Sequence, residues 1–279
     1  MSDQMPDTHP HFLTVGEGEA AREIAILVRP AEAGNGGPAL VWLSGYRSDM
    51  SGTKALELDR LAGELGLACI RLDYSGHGLS GGSFRDGTIS RWLEEALAVI
   101  GHLAPERVVL VGSSMGGWIA LRLVQELARH GGPKLEGPKV VGMVLIAPAP
   151  DFTSELIEPN LKAKERKSLA ERGYFEERSQ YSPEPNIYTR ALIEDGRRNR
   201  VLDGIIETGC PVHILQGMKD PDVPHVHAMK LVEHLPADDV VLTLIRDGDH
   251  RLSRAGDIAL LVSAVRGIIH SSANMEKPA

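Results

Sequence analysis

The chain has 279 residues, 42% of them hydrophobic and 24% charged, the balance of an ordinary globular protein. Thirty basic residues stand against 38 acidic ones for a net charge of −8, and without a basic tract this excludes a protein that draws its affinity from nucleic-acid phosphates. No apolar run reaches the roughly 18–20 residues a membrane helix needs, so no membrane span is expected.

The opening residues, MSDQMPDTHPH, carry acids and no Lys or Arg before Arg22. They match neither a secretory signal nor an Arg-rich transit sequence. The two cysteines, Cys69 and Cys210, lack metal-ligand spacing and make no disulfide framework. A reducing, cytoplasmic location is the expectation. Residues 11–15 and 23–28 read as a β-hairpin, and ALVWLSG (39–45) as a buried strand ending in Gly. Leu56, Leu58, Leu61 and Leu65 give residues 53–65 helical spacing, and ACIRLDYSG (68–76) reads as the next strand. Thr88 is placed to cap a helix over 89–103. RVVLVGSS (107–114) reads as a strand running straight into a helix over 115–130. Further strands are expected at 140–148, 211–217 and 240–248, with a last helix over about 255–270. The densest basic run, Lys162 to Lys167, is interrupted by Glu165 and reads as a solvated helix face.

Near-continuous apolar strands alternating with helices imply an α/β fold, a mostly parallel eight-stranded sheet with helices on both faces and an antiparallel first edge. Residues 149–209 break the rhythm, separating two strands by more than one crossover helix requires. They hold Phe152, Tyr174, Phe175, Tyr181 and Tyr188. The expected organisation is a core of 1–148 and 210–279 with an inserted small helical cap at 149–209. In such sheets sites form at the carboxyl ends of the strands, so the residues just after each strand are the candidates.

A serine hydroxyl attacks carbonyls only when a base takes its proton and a sharp turn between small residues exposes it, which is the logic of G-x-S-x-G. Gly112-Ser113-Ser114-Met115-Gly116 fits that spacing, and so does Gly78-Leu79-Ser80-Gly81-Gly82. Ser114 follows VVLVG and opens a long helix, whereas Ser80 lies in a glycine-rich loop, so Ser114 is the candidate nucleophile. The fold's chain order is Ser, then acid, then His. Asp220 follows PVHILQGMK and His250 follows VVLTLIRDGD, and these are the candidate acid and base. Asp222 and Asp151 remain alternative acids. His225, His227 and His234 are expected at the surface, while His77 either packs its loop or touches substrate. His225-Val226-His227 lacks the spacing of H-E-x-x-H, so neither a metal nor a cofactor is expected. The oxyanion formed on attack needs two backbone N–H donors, expected from Met115 and, after Gly45, from Tyr46. The Tyr46 side chain has the alternative task of walling the pocket.

GSSMGGW, GMKDPDVP and DHRL resemble the α/β-hydrolase superfamily. More narrowly, SGYRSDMSGTKA, RLDYSGHGLSGG, VGSSMGGWIAL, LQGMKDPDVP and GDHRL resemble the mitochondrial abhydrolase-domain acyl-protein thioesterase group, also described as mycophenolic acid acyl-glucuronide esterases. The similarity runs from about residue 38 to 265 and includes Gly52-Thr53-Lys54, which has no catalytic duty. Carried over by position, that group's triad falls on Ser114, Asp220 and His250. The resemblance implies hydrolysis of thioesters or esters of carboxylic acids, including S-acyl cysteine. Two departures stand out: no transit sequence is expected from the opening residues, which suggests a bacterial-type cytosolic relative, and Ser44-Gly45 replaces the His-Gly common in this loop.

The expected partner is therefore a small-molecule ester or thioester, with S-acylated protein as a further candidate. The expected reaction is a two-step acyl transfer through an acyl-serine intermediate. Rival readings are an exopeptidase or amidase with the same triad, and a catalytically silent binding protein on a hydrolase scaffold.

Overall fold

The computed structural model describes residues 9–130, 137–179, 184–236 and 239–275; Tyr181 lies outside the described residues. The chain begins with strands β1 (His11–Val15), β2 (Arg22–Arg29) and β3 (Ala39–Leu43), followed by helix α1 (Thr53–Leu65) and strand β4 (Cys69–Leu72). Helix α2 (Ile89–Leu103), strand β5 (Arg107–Ser113), helix α3 (Met115–His130) and strand β6 (Lys139–Ile146) complete the first part. Residues 149–209 contribute α4 (Ala163–Arg172), β7 (Tyr174–Glu177), β8 (Asn186–Thr189) and α5 (Arg190–Arg198). Strand β9 (Val212–Gly217), helix α6 (His225–Glu233), strand β10 (Val240–Ile245) and helix α7 (Ala255–Met275) close the fold.

Eight strands form one sheet in the order β1-β2-β4-β3-β5-β6-β9-β10. β2 runs antiparallel to both β1 and β4, and every other pairing is parallel. The uninterrupted apolar runs of β3 and β5 follow from their central place, since both of their faces are covered. One face carries Trp92, Trp118 and Leu110 in a core with α2 and α3, and the other carries Trp42, Val109 and Val111 with α1 and α7.

Several strands stop earlier than their apolar runs. β4 ends at Leu72 because the Asp73 carboxylate accepts the N–H groups of Met50 (2.7 Å) and Leu79 (2.8 Å), turning the chain out of the sheet. The expected Thr88 cap is present, its hydroxyl accepting the Arg91 N–H at 3.2 Å. Besides the helices expected there, residues 149–209 contain the antiparallel pair β7–β8, four residues each. Strands that short carry too little alternation to be read from sequence. The segment is fastened to the core through Asp195, a buried carboxylate that accepts the Ser90 N–H and O–H (2.8 Å each) at the first turn of α2. The next link is Asn199, whose carbonyl accepts the Trp118 indole N–H at 3.0 Å. Helix α4 buries none of its residues, in keeping with the solvated face read at Lys162–Lys167.

Candidate active site

β5 ends at the sheet's centre and α3 starts two residues on, so the chain must reverse at Ser114. It does so with φ of +53°, in the left-handed region that costs a non-glycine residue energy. The turn is tight enough to exclude side chains on either side. A β-carbon at Gly112 would sit 2.4 Å from the Gly116 carbonyl oxygen, and one at Gly116 would sit 2.0 Å from that of Leu43. The Ser114 N–H donates to the Ile146 carbonyl at 2.9 Å, which sets the turn against β6. The hydroxyl is left half-buried at the carboxyl edge of the sheet, one residue before the N-terminus of α3.

His250 and Asp220 arrive from the loops after β10 and β9. Those loops touch backbone to backbone: the Lys219 N–H donates to the Gly248 carbonyl at 2.9 Å, and a β-carbon at Gly217 would meet that oxygen at 2.5 Å. The His250 Nε2 lies 3.1 Å from the Ser114 Oγ, and its Nδ1 lies 2.8 Å from the Asp220 Oδ2. The other carboxylate oxygen of Asp220 accepts the N–H groups of Asp222 (2.9 Å) and Val223 (2.8 Å), and Gln216 donates to Oδ2 at 3.2 Å. The Asp220 side chain is fully buried, while that of His250 keeps 17% of its surface exposed. A hydroxyl, an imidazole and a buried carboxylate in this line can move a proton off the hydroxyl and stabilise the imidazolium that results.

Met115 is the first residue of α3, with its amide at the positive end of the helix dipole. Tyr46 follows Gly45, where a β-carbon would come within 3.3 Å of the Ser114 Cβ, so the loop after β3 lies directly against the serine. A cavity of about 490 Å³ opens over Ser114, Met115, Tyr46 and His250. Much of its apolar wall comes from Phe152, Leu156, Ile157, Leu161, Phe175 and Tyr188, all within 149–209, and Val223 with two prolines adds to it. The aromatics of that segment were conspicuous in the sequence. The aliphatic lining residues carry no signal, because Leu156 and Ile157 lie in a short π turn and Leu161 just past a 3-10 turn, without periodicity.

The remaining candidates have structural tasks. Ser80 accepts the Ala25 N–H (2.8 Å) and donates to the Asp73 carbonyl (2.6 Å), closing its glycine-rich loop onto β2. Asp151 is buried and accepts the N–H groups of Val201 (2.9 Å) and Leu202 (2.8 Å); burial pushes its carboxyl up to about 6. Asp222 is exposed at the cavity's edge. His77 is buried and takes the packing role: its Nδ1 lies 3.1 Å from the Ser75 carbonyl and its Nε2 accepts the Arg47 N–H at 3.2 Å. His227 departs from the surface position expected of it. It is buried with Ala228 and Leu231 on the core face of α6, and its Nε2 lies 2.8 Å from the Pro150 carbonyl.

Among the described residues, Asp220, Asp222 and His250 form a group with metal-ligand spacing, their ligand atoms within 4.8 Å of one another. A cation there would have to displace the Asp220–His250 hydrogen bond and compete with two backbone N–H groups for the same carboxylate. The donor set therefore fits the hydrogen-bonded chain better than a metal. No helix among the described residues is long and apolar enough to cross a membrane.

A mostly parallel sheet covered on both faces, with a serine on a strand-to-helix turn at its carboxyl edge, is the architecture of α/β hydrolases. The chain belongs to the alpha/beta hydrolase family, whose model matches residues 33–259. It is 34% identical over 234 residues to the mitochondrial palmitoyl-protein thioesterase ABHD10 of Homo sapiens, an alignment covering 83% of this chain and 73% of the human one. A crystal structure of an Agrobacterium vitis S4 protein described as a hydrolase is 68% identical, with a TM-score of 0.90 over 94% of this chain and 98% of that one. Alpha/beta hydrolase domain-containing protein 10 from mouse has a TM-score of 0.78 at 28% identity, over 94% of this chain and 99% of the mouse chain.

Proposed function

We propose that the protein is a serine hydrolase that cleaves carboxylic esters or thioesters through an acyl-serine intermediate. The observation that carries the reading is the unbroken hydrogen-bonded line from Asp220 through His250 to Ser114, at 2.8 and 3.1 Å, opening into an apolar cavity. The palmitoyl-protein thioesterase name of the human relative supports the substrate class. His250 Nε2 takes the Ser114 proton as Oγ bonds to the carbonyl carbon. The Met115 and Tyr46 N–H groups hold the resulting oxyanion. His250 gives its proton to the departing thiolate or alkoxide, leaving an acyl-serine. It then takes a proton from water as hydroxide adds to that ester, and returns it to Ser114 when the acid is released. Asp220 keeps Nδ1 protonated throughout and stabilises each imidazolium. Residues 149–209 act as a cap that shapes the acyl site over the sheet. A cytoplasmic location belongs to the same proposal, and the free, buried thiols of Cys69 and Cys210 fit it.

A fluorophosphonate probe should label Ser114 stoichiometrically. Ser114→Ala should keep only about 10³–10⁴-fold over the uncatalysed rate, the share left to the oxyanion site and binding. Adduct mass on another residue, or turnover by Ser114→Ala near that of the wild type, would overturn the assignment. Rates across thioesters and oxygen esters of graded acyl length then rank the leaving groups.

A further inference from the structure

The loop after β3 is held by the inserted segment as well as by the sheet. The Tyr46 phenol donates to the Ile187 carbonyl on β8, and its ring stacks on Tyr188 with centroids 5.4 Å apart and planes 9° apart. The same ring meets Phe84 edge-on at 4.9 Å and Phe152 at 5.9 Å. Arg47 reaches the same stretch of chain. Its Nε donates to the Pro185 carbonyl at 3.1 Å, its guanidinium reaches Glu184 at 3.2 Å, and it lies 4.6 Å above the Phe84 ring. The Arg47 backbone has φ of +55°, and its N–H is held by His77 at 3.2 Å. Two consecutive side chains of this loop are therefore fastened to residues 184–188, while Gly45, just before them, lies against Ser114.

We propose that Tyr46 and Arg47 are positioning residues through which the seating of β8 sets the aim of the Tyr46 N–H at the oxyanion. The inference rests on the serine-hydrolase reading above, with Tyr46 as second backbone donor. A backbone donor works only within a narrow range of distance and angle. The loop carrying this one has an unfavourable conformation at Arg47. The phenol–carbonyl bond and the ring stack supply the missing constraint from above. The seating of the 184–188 stretch thus completes the oxyanion site.

Tyr46→Phe tests this, because it keeps the ring and its stacking and removes only the bond to Ile187. Steady-state kinetics on p-nitrophenyl esters from two to ten carbons should give kcat lowered about 10- to 100-fold, the range for a misaimed rather than a missing donor. KM should stay within about twofold, and the loss in kcat should be the same at every acyl length, because the oxyanion is common to all of the substrates. Arg47→Gln, which releases the Pro185 side of the same stretch, should show the same split. A merely structural or pocket-lining role would leave kcat unchanged, or change KM in proportion to acyl length; either result overturns the proposal. Fluorophosphonate labelling keeps the two readings apart. Full but slowed labelling of Ser114 in Tyr46→Phe supports the coupling. Failure of wild-type protein to label at Ser114 would sink the nucleophile assignment instead, and this inference with it.

Discussion

Replacing Asp220 by Asn should disable the protein through a tautomer rather than through lost charge alone. One carboxylate oxygen of Asp220 is committed to the N–H groups of Asp222 and Val223, at 2.9 and 2.8 Å. In Asp220→Asn the amide oxygen must occupy that place, because an NH2 there would face two donors. The amide nitrogen then falls where Oδ2 now lies, 2.8 Å from the His250 Nδ1. Nδ1 can meet an N–H only as an acceptor, so the imidazole proton moves to Nε2, which faces the Ser114 Oγ at 3.1 Å. A base already protonated at Nε2 cannot accept from the hydroxyl. The expected loss is about 10⁴-fold in kcat, roughly 5 kcal/mol at about 1.36 kcal/mol per tenfold. The fold should survive, since Gln216, the other donor to Oδ2, also has the Gly217 and Val223 carbonyls at 3.1 and 3.0 Å. The assay is steady-state hydrolysis of p-nitrophenyl acetate with a thermal melt as control. Asp222→Asn, exposed and outside the relay, should stay within about threefold of wild type. Retention of more than a tenth of kcat by Asp220→Asn, or a larger loss in Asp222→Asn, would refute the reasoning and move the acid to Asp222.

Three further substitutions address the scaffold. Burial lowers the His77 imidazole from 6.5 to about 4, so between those pH values the unfolded chain holds a proton that the folded chain refuses. Its contribution is intact above pH 6.5 and falls as pH drops, by about 2 kcal/mol at pH 5. His77→Gln keeps an acceptor for the Arg47 N–H and does not titrate, so urea unfolding at pH 7.5 and 5.0 should give it a smaller pH difference than wild type; equal differences would count against this account. Gly116→Ala would place a methyl 2.0 Å from the Leu43 carbonyl oxygen and should cost at least roughly 3 kcal/mol or yield insoluble protein. Gly101→Ala, with nothing within 4 Å in the last turns of α2, should instead add the ~0.5–1 kcal/mol helix preference of Ala to the stability and so raise the melting temperature.

The fold was legible because its signals are local. ALVWL and RVVLVGS are apolar without alternation, which only a doubly covered strand requires, and each runs into small residues where the chain must turn. The positions of Ser114, Asp220 and His250 follow from the same logic, each lying within a few residues of a strand's carboxyl end. What escaped was set by tertiary contact. His227 reads as one of two histidines on an exposed helix, and only the helix's rotation against Pro150 buries it. The pair β7–β8 depends on Tyr46 and Phe175 packing around Tyr188, a contact between positions far apart in sequence. No local pattern announces Tyr46's phenol as the link to β8, because the residue is already accounted for by its place after Gly45.

The site is assembled by two different means, and that difference separates its chemistry from its specificity. The floor is built from backbone against backbone. Gly116 lies on the Leu43 carbonyl, Gly217 lies on that of Gly248, and the Ser114 N–H is held by Ile146. Contacts of that kind have no side chain to adjust, so the 2.8 and 3.1 Å spacings of the relay follow from the sheet itself. The roof comes from side chains of residues 149–209: Phe152, Leu156, Ile157 and Leu161 lie outside the strands and can change size without disturbing any of them. Substitutions in the roof should therefore alter which acyl group fits while leaving the proton relay in register, and substitutions in the floor should remove fold and reaction together. The exceptions are the Tyr46–Ile187 and Arg47–Pro185 contacts, where roof and floor share hydrogen bonds, and there a change in residues 184–188 should reach the chemistry directly.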